Sequence, residues 1–152
     1  MNPDTLAYLD DAIRRVGSGQ ISSDAGSHMA GVFGKAATGF EKEVSSFASL
    51  LLRVCGVEYD TRVRPEVHGK PFHKLTLGEL AVVINVVRQI SSDAGRFNAV
   101  DLNRLLRDLR AINSTWVQVK HGEDSSPEDL RAGLIAMRRA LNEVRRLTTG
   151  SS

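Results

Sequence analysis

Five residues near the C-terminal end constrain the fold most: Leu130, Leu134, Met137, Leu141 and Val144 recur in steps of four, three, four and three. An α-helix turns once every 3.6 residues, so this spacing lays a single apolar stripe along one side of a rod. The same rhythm appears in Leu6, Leu9, Ile13 and Val16, and in Phe33, Ala36, Phe40, Val44, Phe47, Leu51 and Val54. It returns in Leu102, Leu105, Leu109, Ile112, Trp116 and Val119. Stripes of this kind leave water only by covering one another. The expected fold is therefore all-α, an antiparallel bundle of about five helices.

Local signals place the ends. The first helix is expected from Asp4 to Val16, closed by Gly17, and the second from Ser27 to Cys55, closed by Gly56. Gly31, Gly34 and Gly39 weaken the second helix, which predicts either fraying or close approach by a neighbour. Val57 to Lys74 holds Pro65, Gly69 and Pro71 and reads as a loop, with an extended piece at Val57–Val63. Thr76 and Glu79 form a capping box for a third helix reaching Ile90. That helix is apolar nearly all round, which suits a central place in the bundle. A fourth helix is expected from Ala99 to Val119, capped by Asn98 and ended by Gly122. The fifth starts with Ser126 as N-cap and Pro127 as first helical residue, and Thr148 to Ser152 reads as a loose tail. One domain covers residues 1–152: an N-terminal helix and linker (1–26), the bundle (27–148) and a tail (149–152).

Composition narrows the function classes. A formal charge of +2 over 152 residues carries no argument for nucleic-acid or membrane binding from bulk charge. No run approaches the roughly 18 apolar residues of a membrane span. Met1 to Asp11 lacks the basic and apolar regions of a secretory signal, and Cys55 is the only cysteine, so a reducing cytoplasm is expected. Two local oddities stand out. Gly26-Ser27-His28-Met29 resembles the remnant of a cleaved expression tag, although an amphipathic helix precedes it. The heptapeptide Gln20-Ile-Ser-Ser-Asp-Ala-Gly26 recurs as Gln89 to Gly95, but the flanks barely match and define no repeat architecture.

The chemistry-bearing stretch is Arg110 to Pro127: a long helix ending in Lys120-His121-Gly122, an acidic Ser-rich loop, then a capped helix. With Asn113 upstream, the region from about Asn98 to Leu147 resembles the HEPN superfamily of small helical domains. That resemblance implies a bundle fold, a homodimer, and metal-independent RNA binding or cleavage in a bacterial defence or toxin-type system. Family members carry an Arg separated from the His by four to six intervening residues, whereas here those positions are Trp116, Thr115 and Ser114, and the nearest Arg is Arg110. Eleven residues of helix separate Arg110 from His121 by about 16 Å on one face, too far to share a phosphate within one chain.

The roles implied are concrete. An imidazole such as that of His121 suits a general base or acid toward a 2′-hydroxyl, and Arg110 or Lys120 suits the charge of the phosphorane. Arg131, Arg138 and Arg145 repeat every seven residues and offer a footprint for RNA or an acidic partner protein. Each has a plain alternative. A Lys-His pair in a last helical turn complements the helix dipole, and arginines on a helix are usually a solvated face. Trp116, on the apolar stripe, reads as core or interface rather than a base-stacking group. His68 and His73 have no third ligand fixed beside them, so no metal and no cofactor is expected. No phosphate loop, nucleophile elbow or zinc motif is present. The rival function is a non-enzymatic helical module for dimerisation or partner docking.

Overall fold

The computed structural model describes residues 3–17, 26–91, 97, 99–121 and 126–150. Five α-helices carry the fold: α1 (Pro3–Gly17), α2 (Gly26–Cys55), α3 (Leu77–Ile90), α4 (Ala99–Lys120) and α5 (Pro127–Gly150). The fold is all-α, as the stripes predict. The caps proposed at Asn98 and Gly122 and the first heptapeptide through Ala25 lie outside the described residues. Gly26 to Met29 form the start of α2, continuous with the rest of that helix.

Side-chain contacts give the helix directions. Tyr8 of α1 donates to the Val32 carbonyl of α2, and Thr5 lies beside Gly39, so these helices run antiparallel. Asp108 meets Arg139, Arg104 meets Glu143 and Asp101 meets Arg146, so α4 and α5 are antiparallel in constant register. Asn113 lies over Gly78 and Asn103 bonds Arg88, which sets α3 antiparallel to α4. The pair α2 and α3 differs. Leu77 N–H donates to Glu41 (3.1 Å) and Ser91 Oγ donates to the Cys55 carbonyl (3.3 Å), each pair 36 positions apart, so α3 runs parallel to α2. The long connection after Cys55 makes this possible by carrying the chain back along α2.

That connection is not extended at Val57–Val63. It coils through a π turn (Tyr59–Val63) and two 3-10 turns (Arg64–Val67 and Phe72–Lys74). The Tyr59 and Phe72 rings meet edge to face at 5.3 Å, Tyr59 Oη donates to the Lys70 carbonyl, and Val63 and Val67 are buried. Apolar anchors pinned to the bundle favour a compact path over a strand without a partner. The C-terminal tail also departs from expectation, because α5 continues to Gly150. Leu147 is buried, and Thr148 and Thr149 turn their hydroxyls back onto the carbonyls of Val144 and Arg145.

The core is one cluster to which every helix contributes. Helix α2 touches all four other helices and is the central rod. Helix α3 lies nearer the edge than its composition suggests. Val82 and Ile90 are exposed, at 38% and 40%. Among the described residues no helix is long and apolar enough to cross a membrane.

Candidate nucleic-acid interface on α4

Helix α4 sorts its charges by face. Its two acids, Asp101 and Asp108, are 8% and 4% exposed and turn toward α5. Asp108 takes a two-pronged bond from Arg139, at 3.0 Å from Nε and 2.7 Å from Nη2. Asp101 takes Arg146 at 2.6 Å and Arg104 at 3.6 Å. Hydrogen bonding from Arg146 outweighs burial and holds the Asp101 carboxyl below its ordinary range, helped by a bond with Glu143 and the charge of Arg104. The structure buries Asp108 because a fork-shaped guanidinium from α5 covers it.

With both acids turned inward, the exposed side of α4 is neutral or basic throughout. Arg107, Arg110, Ser114, Val117 and His121 follow one another in steps of three and four and are all exposed. Lys120 is exposed beside them. His121 closes the helix, its backbone N–H donating to the Val117 carbonyl at 3.1 Å. Arg110 and His121 therefore share a face, but the helical rise keeps them about 16 Å apart. The structure brings neither to the other within one chain.

The remaining candidate residues have other surroundings. Asn113 is half-buried and packs on α3: a Cβ at Gly78 would come within 2.8 Å of its amide nitrogen. It wedges α4 against the start of α3. Arg138 pairs with Asp10 of α1, Arg145 is half-buried, and Arg131 stays exposed in the first turns of α5. These three do not form one free cationic row. His68 and His73 are exposed on the crossover, and among the described residues no group of three metal-ligating side chains occurs.

Two features escaped the sequence reading. Arg107 belongs to the basic row, and the usable signal was the phase of Asp101 and Asp108. They share the inward side with Leu105 and Ile112, which leaves the opposite face without a carboxylate. The second feature is Trp116. Helix α3 begins level with Glu41 and Asn113, so the last part of α4 runs past it and meets α2 directly. There the Trp116 ring lies 6.0 Å from the Phe33 ring, and a Cβ at Gly34 would come within 3.0 Å of it. Of the glycines of α2, Gly34 is thus explained by close approach, to Trp116, whereas a Cβ at Gly39 would meet Thr5 at an ordinary contact distance of 3.5 Å. Lys120 Nζ sits 4.7 Å from the Trp116 ring centroid. Compared with known proteins, the chain matches no family model, no curated protein and no solved structure.

Proposed function

We propose that the chain is a HEPN-like domain that binds RNA through the exposed face of α4 and works as a homodimer in a bacterial defence or toxin-type system. The observation that carries this reading is the sorting of charge on α4: Arg107, Arg110, Lys120 and His121 outward, Asp101 and Asp108 inward. A row of cations without an intervening carboxylate suits a phosphate backbone, whose affinity comes from displaced counterions. Small net charge does not oppose this, because the field near a surface follows its local charges.

Cleavage follows from the same row only with a second copy. Arg110 and His121 stand equally far from Thr115–Trp116, in the C-terminal half of α4. Two α4 helices laid head to tail about that point set Arg110 of one against His121 of the other. His121 then moves the proton of the 2′-hydroxyl, and Arg110 or Lys120 meets the phosphorane charge. The test is purified protein incubated with RNA in the presence of a chelator. Reversing Arg107 and Arg110 to Glu is expected to weaken RNA binding by at least about tenfold. His121→Ala is expected to abolish cleavage with helicity unchanged. Binding that survives the charge reversal removes the RNA reading, and cleavage that survives His121→Ala removes the enzymatic part.

A second reading has its own support. Val82, Val86 and Ile90 follow one another at four-residue steps on α3, with Val82 and Ile90 exposed and Val86 half-buried. An apolar ridge of this kind favours a docking module. Intact RNA after incubation, together with a stable dimer by light scattering, would favour it over the nuclease.

A further inference from the structure

Helices α4 and α5 leave an open groove of about 430 Å³ between them. The Asp108–Arg139 bond sets its register, so Ala111 to Gln118 of α4 run beside Ala136 to Asp129 of α5. Seven residues of helix make it about 10 Å long. Ala111, Ala132 and Ala136 line its middle and carry nothing beyond Cβ to obstruct it. Its ends differ in charge. Arg139 stands at one end, where Asp108 takes its Nε and Nη2 and leaves Nη1 for another acceptor. Gln118 and Asp129, both exposed, stand at the other. Ser114 lines the groove and also belongs to the outward row of α4, so the groove opens beside that row. Arg107 lies one helical turn before Ala111, at the Arg139 end.

We propose that this groove receives an unpaired guanine nucleotide, its base at Gln118 and Asp129 and its phosphate toward Arg139 and Arg107. The inference deepens the RNA-binding reading above and rests on it for the strand that carries the base. Guanine presents two adjacent donors, N1–H and the N2 amino group, with the O6 acceptor beside them. The Asp129 carboxylate accepts both donors as a two-pronged pair, and the Gln118 amide donates to O6. Adenine and cytosine set an acceptor nitrogen next to their amino group, which a carboxylate repels. Uracil offers a single donor between two acceptors. The alanine-lined middle gives a sugar and a flat ring room to lie between the helices. A guanine paired in a duplex has already spent this edge on cytosine, so the groove selects an unpaired one.

The test is titration calorimetry of the wild-type protein against four probes. They are guanosine and adenosine monophosphates, an all-uridine strand of about 12 nucleotides, and that strand with one central guanine. The expected result is about tenfold tighter binding of the guanine-containing strand than of the all-uridine strand. Asp129→Asn, which keeps the size of the side chain but turns one acceptor into a donor, is expected to make the two strands bind equally. Equal affinity of the two strands for the wild-type protein overturns the proposal and leaves the RNA reading standing. A guanine preference that survives Asp129→Asn also overturns it, because the base is then read elsewhere. Guanosine monophosphate bound in preference to adenosine monophosphate, with neither strand bound, supports the groove as a free-nucleotide site and removes the RNA reading. Binding of none of the four overturns both.

Discussion

Phe33 is fully buried, and its ring presses on the backbone of α5 at Gly133, where an added Cβ would come within 2.6 Å of Cε2. A methyl group there has two opposing effects. It adds about 1 kcal/mol of helix propensity, and it overpacks a rigid ring at a cost of about 1–3 kcal/mol. The clash is the larger, so Gly133→Ala is expected to lower stability by about 1 kcal/mol net in urea unfolding; a variant as stable as the parent would show that the ring yields freely. Asp108 makes a different demand. Its carboxylate is nearly closed off from water, whereas Arg139 is half exposed. Arg139→Ala strands the acid, and the expected loss is about 2 kcal/mol, above that of an ordinary surface pair. Asp108→Asn paired with Arg139→Ala should recover part of it in a double-mutant cycle. The sequence reading saw neither contact, because each joins positions far apart in the chain through a specific rotamer.

At the scale of elements, the helix starts were legible because their chemistry is local. Thr76 Oγ1 accepts from Glu79 N–H at 3.4 Å, and the Glu79 carboxylate accepts from Thr76 N–H at 2.9 Å, closing the box that the four residues announce. Ser126 caps α5 in the same way, accepting from Asp129 N–H at 3.1 Å. Thr76→Ala is expected to cost about 1 kcal/mol, read as a lower melting temperature. Glu79 adds a pH dependence. Burial opposes its ionisation, but bonds from the Thr76 backbone, Lys70 and the Thr76 hydroxyl outweigh that and hold its carboxyl below the ordinary range. Asp101 is lowered as well, chiefly by Arg146. A carboxyl with a lowered folded pKa contributes fully above its unfolded value and loses that contribution as pH falls through the folded one. Thermal stability is therefore expected to be level above about pH 5 and to fall below about pH 4. Thr76→Ala should shrink the part of that fall due to Glu79; an unchanged acid profile would remove this account. The unread elements were those whose shape depends on partners. The crossover coils because Tyr59, Val63, Val67 and Phe72 find anchors, and α5 runs to Gly150 because Leu147 has a core to enter.

For the whole molecule, the basic face predicts how RNA binding responds to salt. Three outward cations, Arg107, Arg110 and Lys120, engaging single-stranded phosphates give a slope of log affinity against log salt near about −2. Titrations from low to moderate salt measure it, and a slope near zero would exclude the α4 face as a polyanion site. Removing Arg107 and Arg110 together should reduce the slope by about 1.4.

Periodicity by itself determined that this chain is a bundle of helices, because apolar side chains at three- and four-residue steps can be buried only by rods lying together. Local hydrogen-bonding chemistry likewise determined where α3 and α5 begin. Tertiary structure alone decided that α3 runs parallel to α2 rather than folding back on it, since a long connection permits either course and only packing selects one. It also decided which charges on α4 remain free. That choice depends on Arg139 and Arg146 reaching across from α5 to bury Asp108 and Asp101, and a residue's own sequence neighbours do not specify the charge that will face it from another helix.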